Sequence, residues 1–215
     1  MLNKKYLLIL VAFCLVLMVV GAVARTYMPA QLATHWNAAG QADGYGSTFT
    51  AIYLFPLIIL AAGVLLMLLP TLDPLKANVL GFRQALYQFL LAFAAYMGYI
   101  YLLTLGWNLG LRFDMNRLLP PAFTLLFWVA GSLMARAKRN FFIGIRTPWT
   151  LSNDLVWDRT HARGAIAFKA SALVCLLGVF FPAYTFVFLM VPILITTVYL
   201  VVYSYLEYQR VTRAS

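Results

Sequence analysis

The chain has 215 residues, of which 64% are hydrophobic, 16% aromatic and 10% charged, with a net charge of +10 and a mean hydropathy of +0.86. This balance excludes a water-soluble core and points to an integral membrane protein. In so apolar a chain, an excess of 16 basic over 6 acidic residues marks cytoplasmic loops rather than a nucleic-acid footprint, and no direct nucleic-acid partner is expected.

Crossing a hydrocarbon core takes about 20 helical residues. Six apolar segments meet or approach that length, at 6–24, 51–69, 85–105, 118–135, 165–181 and 185–205. The fold class expected is all-α, a polytopic membrane helical bundle of about six transmembrane helices. The first segment also imitates a secretory signal, because Lys4-Lys5 precede it and Ala22-Val23-Ala24 resemble a cleavage site. Its apolar run is longer than a usual signal core, which favours a retained helix. Pro56 and Pro192 are expected to kink their helices or to sit in a first turn. Pro182-Ala183-Tyr184 should turn the last two spans into a tight antiparallel pair.

Basic residues set the orientation. With the N-terminus inside, twelve Lys and Arg fall on the cytoplasmic side and only Arg25, Arg112 and Arg117 lie outside, so both termini are expected to be cytoplasmic. Cys14 and Cys175 lie in apolar runs, where a thiol behaves as a small hydrophobe, and no disulfide is expected. Trp36, Trp107, Trp149 and Trp157 stand in loops or at span ends, where indole rings favour the interface.

Two polar connections interrupt the apolar pattern. The outer one, between the first two spans, holds His35, Trp36, Asn37, Gly40 and Asp43 among residues that favour turns, and a compact, turn-rich loop is expected there. His35 with Asp43 suggests a metal or proton site, but two ligands make an incomplete metal site, and no metal or other cofactor is assigned. The inner one runs from Arg136 to Arg163. Thr147-Pro148 forces an extended conformation. Ser152 or Asn153 is suited to cap a short helix whose Leu155, Val156 and Trp157 would lie on the leaflet while Asp158 and Arg159 stay wet. Topology and anionic lipid account for Lys138, Arg139 and Arg146. They do not account for Asn140, Gly144, Pro148, Thr150, Ser152, Asn153 and His161, a mixture that suits an ordered polar structure with internal hydrogen bonds.

The run from Asn140 to Asn153, NFFIGIRTPWTLSN, followed by Val156-Trp157-Asp158-Arg159-Thr160-His161, resembles the signature of the SdpI-like bacterial membrane proteins. The outer His35-Trp36-Asn37-x-x-Gly40-x-x-Asp43-Gly44 resembles the small membrane domain of unknown function that opens many of them, with Thr48 at a place often basic in that motif. The resemblance implies a two-helix membrane unit over 1–70 and an SdpI-like four-helix unit over 71–215, in the bacterial inner membrane. It further implies protection from a secreted, membrane-active peptide toxin and, as in the type system, a cytoplasmic transcriptional repressor held at the membrane. Candidate binding residues are then His35, Trp36, Asn37, Gly40 and Asp43 outside, and Asn140, Gly144, Arg146, Thr147, Pro148, Trp149, Asn153, Trp157 and His161 inside.

Three classes of function compete on the residues. Binding, as an immunity or sensor protein, uses both loops. Proton-coupled transport needs ionisable groups at membrane depth, and the central parts of the six segments contain no Asp, Glu, Arg or His. A passive or lipid-handling path stays open. Catalysis lacks a recognisable motif, and the two histidines fall on opposite faces, so no enzyme is expected.

Overall fold

The computed structural model describes residues 3–213 and contains six helices that by length and composition can cross a membrane. In chain order the elements are α1 (Lys4–Ala24), β1 (Leu32–Trp36), β2 (Ala42–Gly46), α2 (Phe55–Leu72), α3 (Lys76–Gly81), α4 (Arg83–Asn108), α5 (Met115–Met134), α6 (Pro148–Ser152), α7 (Asp154–Leu176) and α8 (Thr185–Arg213). The chain is an all-α multi-pass membrane bundle with one small hairpin. α3 and α6 are too short to cross; the other six α-helices span.

Caps and prolines explain several boundaries. Asn3 and Asp114 accept from the second backbone N–H of α1 and α5, a donor the helix itself leaves free. Pro56 is the second residue of α2, which directly continues a π-helical stretch over Phe49–Leu54. Pro120 lies inside α5 and leaves the Asn116 carbonyl without its helical donor; the Thr185 hydroxyl, at the start of α8, donates to that carbonyl at 2.7 Å. The proline therefore ties α5 to α8. Pro192 stands inside α8, and its carbonyl accepts from Ser171 of α7.

α5, α7 and α8 pack together, and α4 lies between that group and the pair α1 and α2. One apolar cluster joins Leu10, Cys14 and Leu17 of α1 to Ile59 and Met67 of α2 and to Leu90 and Tyr101 of α4. Another joins Phe82, Ala85 and Leu86 to Leu133, Ala137 and Trp157. Cys14 and Cys175 are free and buried, as apolar placement requires.

Two expectations need correction. The loop after α1 is turn-rich, but it is built on an antiparallel hairpin, with Leu32 opposite Gly46 and Ala33 opposite Tyr45. Its strands are five residues each and carry no clear alternation, which hid them. The short helix expected after Asn153 is instead the first two turns of α7, which runs unbroken into the span. Leu155 stays exposed, but Val156 and Trp157 are fully buried inside the protein rather than resting on a leaflet.

Candidate functional site

The bundle has a hairpin end and a connector end. At the hairpin end, the Asn108 side chain closes α4 against β1: its amide donates to the Ala33 carbonyl at 2.9 Å and its oxygen accepts from Ala33 N–H at 2.8 Å. It acts as one residue of a third strand. Asn108→Ala leaves both buried backbone groups unmatched at a cost of about 1–3 kcal/mol. Limited proteolysis of residues 28–47 should be faster in that variant, and parental resistance would contradict the tie.

His35 and Asp43 face each other across the hairpin, Nδ1 to Oδ1 at 2.6 Å, both well exposed. They pair with each other, and among the described residues no group of three or more His, Cys, Asp and Glu could hold a metal ion. Asn37 shapes the tip, its Oδ1 accepting from Ala39 and Gln41 N–H, while Gly40 supplies the positive φ of 76°. Trp36 meets Trp107 edge to face at 5.8 Å, and Arg112 lies over the Trp107 ring. Thr48 accepts from Arg25 Nε at 2.8 Å, which ties the end of α1 to the residue after the hairpin.

At the connector end the polar side chains are committed to backbone. Asn140 is fully buried; its oxygen accepts from Phe142 and Ile143 N–H, and its amide donates to the Lys138 and Ile143 carbonyls. Thr147 caps α6 in a reciprocal box with Thr150, with Pro148 in the first turn, and its hydroxyl also bonds Ser204 of α8 at 3.1 Å. Asn153 caps α7 through Leu155 and Val156 N–H. Trp149 packs edge to face on Tyr205.

Trp157 and His161 form the centre. The indole is inaccessible to solvent, donates to the Ala137 carbonyl at 2.8 Å and stacks on the imidazole at 3.9 Å. His161 Nδ1 faces the Trp157 carbonyl, and Nε2 faces the Ile145 N–H at 3.0 Å. A carbonyl only accepts and an N–H only donates, so the arrangement fits a neutral ring protonated at Nδ1. Gly144, at φ 110°, lets the chain pass over this ring: a Cβ there would stand 2.2 Å from His161 Nε2. The structure thus gathers Asn140, Gly144, Thr147, Pro148, Asn153, Trp157 and His161 into one folded connector. Arg146 is different. It is exposed, donating to the Phe141 carbonyl from the surface.

Several contributors were missed from sequence. Asp73 is buried and accepts from Phe141 and Leu75 N–H, and Asn78 donates to the Arg139 carbonyl, so the α2–α4 connection clamps the connector from its other side. Asp73-Pro74 carries a turn signal in the sequence but nothing that points to Phe141. Glu207 is also buried and pairs with Arg159 and Arg210. It is the chain's single glutamate, placed three residues before an arginine in an apolar helix.

The connector lies within residues 136–204, which match the SdpI/YfhL protein family. Over these residues the chain is SdpI-like. Residues 12–60, from α1 through the hairpin into α2, match the Domain of unknown function (DUF1648). The Immunity protein SdpI of Bacillus subtilis (strain 168) is similar along nearly the whole length, 22% identical over 208 residues that cover 96% of this chain and 97% of that protein. No solved structure matches the chain.

Proposed function

We propose that this SdpI-like chain is an immunity and sensor protein of the bacterial cell membrane that acts by binding, not by catalysis. In this reading both termini are cytoplasmic, residues 1–70 form the unit that meets a secreted, membrane-active peptide, and residues 71–215 carry the connector on the inner side. A cytoplasmic repressor would dock on the connector.

The observation that carries the reading is how the connector spends its polar groups. Asn140, Thr147, Thr150, Asn153 and His161 are consumed internally, which makes a rigid scaffold with neither His161 nitrogen free for proton transfer. Among the residues that the scaffold leaves exposed are Arg146, Phe141 and Phe142. A charged fork beside two aromatics suits recognition of a partner. The similarity to an immunity protein supports the same reading.

Cells of a sensitive bacterium expressing the chain should survive a membrane-depolarising secreted peptide that kills cells carrying empty vector. Equal killing would remove the proposal. Arg146→Ala should lose protection or repressor recruitment at unchanged abundance, because a surface guanidinium contributes little to stability; full activity would remove the connector surface from the mechanism.

A further inference from the structure

Apart from the two loops, one cluster of cations is built rather than scattered. Arg159, Ala162, Arg163 and Ile166 fall on one face of α7, and Tyr203, Glu207 and Arg210 on one face of α8. Together they line a cavity of about 440 Å³ between the two helices at the connector end.

Glu207 organises it. Its side chain is 4% exposed and pairs with Arg159 on one oxygen and with Arg210 on the other, at 3.6 Å. The two arginine side chains remain 50% and 72% exposed, so each is tethered by a buried carboxylate and still open to solvent. Arg163 lies over the Tyr203 ring at 5.5 Å. Three guanidinium groups against one carboxylate leave two positive charges without a protein counter-ion among the residues lining the cavity. Toward the middle of the spans the lining ends on Ile166, which is 70% exposed, and outside the cavity the exposed Tyr199 ring follows Tyr203 along α8 at 5.9 Å.

We propose that this cavity is a binding site for an anionic phospholipid, with the arginines on the phosphate and Ile166 and Tyr199 along an acyl chain. Guanidinium forks match phosphate oxygens in pairs, and pre-tethering by Glu207 lowers the entropy lost when they engage. The apolar continuation is what selects a lipid over a soluble phosphate. A positive margin by itself would attract the anionic leaflet diffusely; a cavity with a buried organiser holds one molecule in place. The site serves the chain whichever partner the connector binds.

The test is native mass spectrometry of the full chain in mild detergent, titrated with phosphatidylglycerol or phosphatidylcholine. The parent should retain phosphatidylglycerol about 25-fold more strongly, roughly fivefold for each of the two uncompensated charges, with a similar fivefold loss for each guanidinium removed. Arg163→Gln and the double variant R163Q/R210Q should therefore lose retention stepwise. Arg163 makes a ring contact and no buried ion pair, so its variant should keep the parental melting midpoint. Arg112→Gln, at the hairpin end, should change nothing. Three outcomes overturn the proposal: equal retention by R163Q/R210Q, an equal loss in R112Q, or displacement of the lipid by inorganic phosphate or poly-glutamate at the same concentration. The last would assign the arginines to a soluble anion or an acidic protein.

Discussion

Trp157→Ala is expected to destabilise the protein by on the order of 3–5 kcal/mol, the range for emptying a buried aromatic site. The indole has no solvent exposure and packs in the cluster of Val79, Phe82, Ala85, Leu86, Leu133 and Ala137. Its loss therefore opens a void between the α3–α4 junction, the end of α5 and the start of α7, and removes the plate on which His161 stacks. Trp157→Phe separates the two contributions. It keeps an aromatic surface but leaves the Ala137 carbonyl without its donor, costing about 1–3 kcal/mol. Thermal unfolding of the purified protein in detergent should rank parent above Phe above Ala. An Ala variant with the parental midpoint would show that the ring is peripheral, as an interfacial tryptophan would be.

Gly144→Ala should fold the six spans yet unseat the connector, at a cost on the order of 3 kcal/mol. Two causes act together. A side chain at φ 110° is strained wherever it stands, and this one would collide with His161 Nε2, breaking the bond from Ile145 N–H. The double variant G144A/H161A should be less destabilised than the sum of the singles, because removing the ring relieves the collision and leaves only the backbone strain. Protease access to residues 138–152 is the sensitive readout, since the spans themselves stay packed. Additive losses would mean that Gly144 is needed for φ alone.

Much of the architecture was legible because the bilayer imposes a simple rule. Backbone groups in hydrocarbon must be satisfied within the segment, so an apolar run of the right length has one stable form. All six apolar segments became long helices, and the cysteines were placed correctly by the company they keep. The capping role of Asn153 was local as well, since a short polar side chain before a helical pattern satisfies its first N–H groups; Thr147-Pro148 was read only as an extended entry, and the short helix α6 that it starts was missed.

The less legible features depended on residues far apart in the chain. Asn108 was an unremarkable polar residue at the end of a span until the fold set it 75 positions from its partner, Ala33. Trp157 read as interfacial because it stands at a span's edge, and only the packing of α4 and α5 against α7 encloses it. Glu207 likewise gains its meaning from Arg159, 48 residues earlier.

Chain chemistry alone determined that this protein crosses a membrane six times, and where a polar connector with caps, a proline and a glycine would fold rather than trail, because helix length, capping and turn conformation are local energies. Tertiary structure decided which of those polar residues are internal struts and which remain as surface. Burial is a property of neighbours: Asn140 and Arg146 are six positions apart in the same motif, yet one is enclosed by carbonyls and amides and the other stands in the open.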